Sequence, residues 1–407
     1  MTDCGPPTHR AERHGQARED RGFVVTFEAC PAMTDLAAQW QALEREAAPS
    51  FFTTWSWIGG WLQRLEPHHR PRLLRATRHG QLAGLAILVP AISRRLKLWP
   101  SRSLHLHTTA DRRHDDIAIE HNGLLLSQAD APGIAAAMLE HLCEATHRWQ
   151  QLLLPGLSVM PPFPAQLPAR LIARQEAGDA YRVDLAALRE GGGDYLARLS
   201  RNTRSQIRRS IKAYGALGPV RVTAASDLPE ALHFLDRLKF HHQKTWESRG
   251  AAGAFANPLF EAFHRQLIAR GFAAGEVQLL RVAAADHDIG YLYNLVHQGR
   301  VSCYQSGFHY DLIPGNHHPG LAVHALVIQH CTDLGMDHYD FLAGSERYKQ
   351  QLATDRYPMV DLSLHRPCLS LRLEEAWRGL KRTLRPRSPT SQTAATPLPG
   401  NSRTPPD

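Results

Sequence analysis

Residues 289–349 read IGYLYNLVHQGRVSCYQSGFHYDLIPGNHHPGLAVHALVIQHCTDLGMDHYDFLAGSERYK, and this stretch decides the fold. Ile289, Tyr291, Tyr293, Leu295 and His297 alternate with Gly290, Leu292, Asn294 and Val296, then Gln298-Gly299-Arg300 turns the chain into Val301–Phe308. Two runs of period-two alternation around a Gly-centred turn predict a β-hairpin. After Asp311–Asn316 and His317-His318-Pro319-Gly320, Leu321, Ala325, Ile328 and Cys331 recur at helical spacing, and Gly335 stands where a left-handed cap closes a helix. Tyr339-Asp340-Phe341 resumes as a strand.

The chemistry lies at the helix start. Proline loses nothing in a first turn whose amide had no partner, and Gly320 lets a ligand approach the backbone. Unpaired amides and the positive end of the helix dipole attract a pyrophosphate. Gly315, Asn316, His317, His318, Pro319 and Gly320 are therefore a candidate anion-binding turn. The same strand, turn, helix and strand order also occurs with a purely structural role, and Asn316 followed by two histidines departs from a glycine-rich loop.

Outward from this segment, 407 residues suit two domains or one large one, with ample length for a buried core. Cys4, Cys30, Cys143, Cys303, Cys331 and Cys368 have no close spacing, which supports neither a zinc ribbon nor a thioredoxin-like motif and fits a reducing, cytoplasmic setting. Residues 1–22, rich in Arg, His, Glu and Asp, have no signal-peptide character and are expected to form a disordered tail. Residues 386–407 are expected to do the same, being rich in Pro, Ser, Thr and Gly. The apolar run Leu82–Ile92 contains Gly84 and Pro90 and reads as strand, not as a membrane span. A net charge of +8 favours anionic partners, and the 24 histidines are expected to add charge below about pH 6.5.

The first half repeats the element order of the second. Phe23–Glu28 reads as a strand, Asp35–Ala47 as a helix burying Leu36, Trp40 and Leu43, and Trp57, Ile58, Trp61, Leu62 and Leu65 as a second apolar face whose tryptophans are assigned to the core. Arg72–Ala76 and Gln81–Val89 read as a hairpin, Ile134–His147 as a helix, Gln151–Leu154 as a strand, and Leu167–Arg174 as a helix after the proline-dense 155–168 segment. Two α/β modules side by side follow, with a boundary at Gly191-Gly192-Gly193 and a rival placement at Pro155.

Arg201, Arg204, Arg208 and Lys212 line one side of a helix with Thr203, Ile207 and Ile211 beside them. This basic amphipathic helix is either a solvated face docked by its isoleucines or a surface for a phosphate-bearing or acidic acceptor. Tyr304 and Ser306 are expected on one strand face and Gln305 on the other. Gly-X-Ser-X-Gly is absent around Ser306, which argues against a nucleophile-elbow hydrolase. His105, His107, His114, Asp115 and Asp116 are the most metal-like group, but in so histidine-rich a chain they are assigned to chance and no metal is expected.

Tyr195–Tyr214, His241–Arg249, Gly290–Phe308, Pro319-Gly320 and Tyr339–Gly344 through Tyr348-Lys349 resemble the FemAB-like branch of the GNAT superfamily, and more narrowly the CelD-like acetyltransferases associated with cellulose biosynthesis. The second half carries the resemblance strongly and the first half more loosely. It implies an α/β (α+β) fold of two tandem GNAT-like modules, each a mixed central sheet flanked by helices. These would be an N-terminal GNAT-like domain at 23–190 and a C-terminal acetyltransferase domain at 194–372.

The resemblance further implies acetyl-CoA or another acyl-CoA as co-substrate, with the 315–320 turn on its pyrophosphate, and a small-molecule or glycan acceptor of the cell-envelope or exopolysaccharide kind. It makes Tyr304 the proton donor to the departing thiolate, Asp340 the group that orients the acceptor, Lys349 a stabiliser of charge on the acyl oxygen, and Glu247 the residue that orders a proton-accepting water. Arg204, Arg208, Trp246, Asn294, Gln305, Ser306 and Tyr348 become acceptor contacts. Each has a plainer alternative: a surface Glu at a helix end, a strand tyrosine with a satisfied hydroxyl, an Asp–Lys ion pair. Two other functions stay open, an aminoacyl-tRNA-dependent transferase, which would make RNA a partner, and a non-catalytic adaptor that keeps the fold.

Overall fold

The computed structural model of the chain describes residues 22–95, 99–144, 148–158, 171–315 and 317–368, with 371 and 373. Both expected tails (Gly22 apart), Asn316 and residues 159–170 lie outside the described residues. The strands are β1 (Phe23–Ala29), β2 (Arg72–Arg78), β3 (Gln81–Arg95), β4 (Trp99–Leu106), β5 (Leu125–Leu126), β6 (Gln151–Leu157), β7 (Ile172–Asp184), β8 (Val220–Ala224), β9 (Val277–Ala284), β10 (His287–His297), β11 (Arg300–Phe308), β12 (His338–Ala343) and β13 (Asp355–His365). The main helices are α1 (Met33–Glu44), α2 (Trp55–Leu62), α3 (Ala131–Cys143), α4 (Arg201–Gly215), α5 (Leu228–Glu247), α6 (Pro258–Gly271) and α7 (Pro319–Asp333), with a short α8 (Arg347–Leu352). None of the described helices is long and apolar enough to cross a membrane.

The strands join in the order β1-β2-β3-β4-β6-β13-β7-β12-β11-β10-β9-β8, with β5 beside β3. Read from either end, this order traces the same path through each half, so the repeated element order expected from sequence is present. The halves are not separate sheets, however. Each gives its last strand to the other: β7 pairs with β12, β13 pairs with β6, and the two exchanged strands pair with each other from Asp355↔Arg182 to His365↔Ile172. The helix expected at Leu167–Arg174 is corrected by this pairing, because from Ile172 onward the chain is strand. A partner from the far end of the chain decides that segment, and local pattern carries no trace of it.

Side chains alternate across the sheet, which separates the cores by face. On one face α1 and α2 of the first half pack with α5 and α6 of the second, around Trp40, Phe52, Trp57, Phe260, Phe263, Tyr291, Tyr293 and Tyr304. The tryptophans are thus core, as expected. On the other face α3 covers the first half through Ile134, Met138 and Leu142, and α4 and α7 cover the second through Ile207, Tyr214, Leu321, Ala325 and Ile328.

Gln298 and Gly299, at φ 46° and 74°, make the turn of the β10–β11 hairpin, and Gly335 at φ 79° ends α7. Gly307 is required for a different reason: a Cβ there would strike the carbonyl of Leu238, because α5 lies directly on β11. Between Tyr293↔Gln305 and Asn294↔Cys303 the register slips by one, leaving Tyr304 as the extra residue of a β-bulge. The bulge overturns the expected alternation. Gln305 pairs with Tyr293 and so shares the α5 face with Tyr304, whereas Ser306 pairs with Leu292 on the α7 face.

Candidate active site between the two halves

β11 and β12 are parallel neighbours, paired only through Arg300↔His338, Val301↔Tyr339 and Ser302↔Asp340. Beyond those pairs they part. Each carries an irregularity just past that point: the Tyr304 bulge on β11, and on β12 a register shift between Asp340 and Ala343 that holds Leu342 at φ 65°. A bulge adds local twist, and one on each strand turns the pair aside. The Asp340 carboxylate stabilises its own side of this corner by accepting the Leu342 amide at 2.7 Å.

On one face of the gap stands the start of α7. Its N-terminal flank, His318, makes no side-chain cap and there is no acid in the first turn. The corresponding helix of the first half, α3, also begins with a Pro-Gly pair, Pro132-Gly133, but there the Asp130 carboxylate accepts the Gly133 amide at 3.1 Å. A carboxylate in that position fills the place of an anion, so only the α7 start keeps its positive end open. The turn before it is partly occupied: the His317 amide donates to the Gly315 carbonyl and the His318 amide to the Ser210 hydroxyl, both at 3.1 Å. Ser210 belongs to the basic helix α4. The charge of Arg209 helps to depress the His318 pKa, second to burial.

On the opposite face lies a cavity of about 420 Å³ between the halves, lined by Phe51, Phe52, His121, Leu125 and, from the exchanged strand β7, Arg182 of the first and by His297, Arg300, Ser302, His338 and Asp340 of the second. Asp340 Oδ2 is 3.3 Å from His121 Nε2 and accepts the Tyr357 hydroxyl at 2.6 Å, and that hydroxyl is 3.0 Å from the same His121 nitrogen. Burial alone would raise the Asp340 pKa, but the hydrogen bond and charge of His121, with the Tyr357 and Leu342 donors, hold it below the usual carboxylate value. Burial and the Asp340 charge push the Tyr357 phenol far up. An ionised Asp340 assigns the His121 proton to Nε2, which leaves Nδ1 with the lone pair.

Several contacts set the His121 loop. Its carbonyl accepts the Ser50 hydroxyl at 2.7 Å, Phe52 stacks on its ring at 6.2 Å, and the Glu120 carboxylate accepts the Ala343 amide of β12 at 2.6 Å. Asn122 is tied by its own amide to the Gly156 carbonyl and by Oδ1 to His107 Nδ1. His121 itself sits at φ 47°, an uncommon conformation for a residue with a Cβ. Its side chain is 11 % exposed, enough to meet a ligand in the cavity.

Of the expected catalytic residues, Asp340 alone lines this cavity. Tyr304 is 3 % exposed in the aromatic core, and its hydroxyl donates to the Ala118 carbonyl at 3.4 Å. Lys349 is fully buried: its ammonium lies 3.4 Å from Glu346 Oε2 and donates to the Leu342 and Ala343 carbonyls, so it ties down the end of β12. Glu247 is exposed at the end of α5.

Among the expected acceptor contacts, Arg204 and Arg208 lie on α4, on the α7 face away from the cavity. Trp246 neighbours His242, Asn294 is buried and donates to Gln278, and Gln305 is buried. The Ser306 carbonyl accepts from His242, and Tyr348 stacks on His324 at 5.3 Å. Of the metal-like histidines, His105 bonds Ser103, His107 accepts the Ile87 amide at 3.1 Å, and His114 Nδ1 lies 3.3 Å from Asp111 Oδ2. His121, Tyr357, Arg182 and Arg300 were missed. The one local signal was Glu120-His121-Asn122-Gly123, a turn composition that tolerates left-handed backbone.

Residues 201–350, from the start of α4 into α8, match the family model described as an acetyltransferase (GNAT) domain. No curated protein matches the sequence. Among solved structures, FemX is similar with a TM-score of 0.52 at 10% identity, over 86% of this chain and 99% of its own. A conserved protein of unknown function from Bacteroides thetaiotaomicron VPI-5482 has a TM-score of 0.50 at 10% identity, over 84% of this chain and all of its own. At such identity the likeness is one of fold. Residues 201–350 of the second half are thus similar to a GNAT acetyltransferase domain, and the whole chain shares the α/β architecture of these structures.

Proposed function

We propose that the protein is an acyl-CoA-dependent N- or O-acyltransferase in which donor and acceptor meet across the parted strands β11 and β12. The observation that carries this reading is the position of Asp340. It closes the last joined pair with Ser302, faces the cavity, and stands where the strands begin to separate. In this reading the α7 start, with Arg209 of α4 beside it, takes the donor's phosphates, which moves the basic helix from the acceptor side to the donor side. His121 removes the acceptor's proton through Nδ1, with Asp340 steadying the imidazolium that results. Tyr348, beside Phe341 at 6.1 Å, replaces Tyr304 as the phenol for the departing thiolate.

The cavity also suggests the acceptor. The guanidinium groups of Arg182 and Arg300 line it against the single carboxylate of Asp340, with His297 and His338 held neutral chiefly by burial, which favours an anionic acceptor bearing phosphate or carboxylate. A cell-envelope or exopolysaccharide precursor of the CelD-like kind fits that charge, and acetyl-CoA is the expected donor. The test is release of free CoA thiol from acetyl-CoA and longer acyl-CoAs in the presence of phosphorylated amino sugars. Acceptor-dependent release that survives ribonuclease supports the reading. Transfer abolished by ribonuclease and indifferent to acyl-CoA would replace it with the aminoacyl-tRNA-dependent alternative.

A further inference from the structure

Two loops of the first half converge on groups that the proposed transfer does not use. Pro67–His69 forms a single tight turn between α2 and β2, and Asp111 caps the short helix Arg112–Asp115 that follows β4. One ring nitrogen from each of His68 and His69 and one carboxylate oxygen of Asp111 all lie within 4.8 Å of one another. His69 is 5% exposed, and its Nδ1 is 3.3 Å from the Glu66 carbonyl. A carbonyl only accepts, so the proton belongs on Nδ1 and the lone pair on Nε2. That Nε2 is buried with no hydrogen-bond partner among the described residues, and it faces Asp111 Oδ2 at 3.9 Å. An imidazole lone pair turned toward a carboxylate oxygen is repulsive until a proton or a metal ion lies between them, and 3.9 Å leaves a gap too long for a direct N–H···O bond.

The surrounding groups have the form of outer partners to metal ligands. His68 Nδ1 is 3.3 Å from Glu66 Oε2, and the fully buried His114 donates from Nδ1 to Asp111 Oδ2 at 3.3 Å. Such second bonds fix the tautomer and orientation of ligating histidines and carboxylates.

We propose that His68, His69 and Asp111 bind a divalent transition-metal ion of the zinc class, with a fourth position open to water. Bond lengths of about 2.0–2.2 Å in a tetrahedral site put ligand atoms about 3.3 Å apart, so the side chains close by up to about 1.5 Å around the ion, a movement that the exposed His68 can make by changing rotamer. Two imidazoles and one carboxylate suit zinc, cobalt or nickel better than calcium or magnesium. The ion braces the loop before β2 against the segment that leads on to His121. The Arg113–Glu66 ion pair at 3.3 Å and the Asn257 amide, which donates to the Arg113 carbonyl at 2.7 Å, already tie these loops to each other and to the start of α6. The sequence points to no metal, because its most metal-like group, which includes His114, is assigned to chance in so histidine-rich a chain.

The test uses the full chain without a histidine tag, stripped with EDTA and titrated with Co²⁺ and then Zn²⁺. One ion per chain is expected, with a visible cobalt band displaced by zinc and a rise in Tm. Affinity should fall at least tenfold in His68→Ala and more in His69→Ala and Asp111→Asn. His68 is 64% exposed, so His68→Ala keeps the test sound even if the buried variants unfold. Absence of a stoichiometric cobalt band, or a band unchanged in His68→Ala, would overturn the proposal.

Discussion

His121 carries the proposed chemistry, and substitutions separate its role from that of its neighbour. His121→Ala removes the base and should lower kcat by about 10²–10⁴-fold while leaving acyl-CoA affinity unchanged, as read by steady-state kinetics and direct binding. Asp340→Asn keeps the shape but removes the charge that orders His121, and should lower kcat together with Tm, whereas His121→Phe should lower kcat alone. Wild-type kcat in these variants would place the base elsewhere. Asp340 was legible in the sequence because it stands on the short strand after the cradle helix. His121 was not, because its meaning comes from Asp340 and Tyr357 in the other half of the chain. Tyr304 was misread for a related reason: a bulge places it, and a one-residue slip in pairing leaves no mark in an alternating pattern.

The exchanged strands β7 and β13 bind the halves into one sheet, and this was the largest feature that local pattern did not predict. The hairpin β10–β11 and helix α7 were readable because their signals are short-range: a Gln-Gly turn, a Pro-Gly start and a Gly end. β7 was hidden by the reverse condition, since every partner it has lies beyond residue 337. A chain ending at Thr354 lacks β13 and leaves open edges on both β6 and β7. Such edges invite aggregation, so the truncated chain should be insoluble or should lose its cooperative melting transition. A soluble, cooperatively melting truncation would show that the exchange is dispensable. The Gly191–Gly193 boundary is a real turn between two short helices, yet cutting there would also part β7 from β12.

Charge across the molecule behaves differently from the simple histidine count. Burial holds His105 and His107 down to about 4 and His264 and His324 down to about 3. Their folded values lie below the unfolded one, so the unfolded chain binds the extra protons. Their stabilising contribution is therefore full above about pH 6.5 and is lost as pH falls toward 4, at up to about 1.4 kcal/mol per group per pH unit. Asp340 adds loss in the same direction at still lower pH. Glu44, pushed up to about 7 by burial, works the other way, as do Asp115 and Asp361, which burial also raises, but the buried imidazoles outweigh them. Tm should accordingly drop steeply between pH 6.5 and 4, and a flat profile would mean that these imidazoles are not buried and neutral.

The proposed site divides donor from acceptor between two faces of one sheet, and calorimetric titration of the full chain with acyl-CoA tests that division most directly. One site per chain is expected, weakened at least tenfold by Arg209→Glu on the exposed face of α4 and unchanged within twofold by His121→Ala. No binding, or binding lost with His121 and indifferent to Arg209, would contradict it.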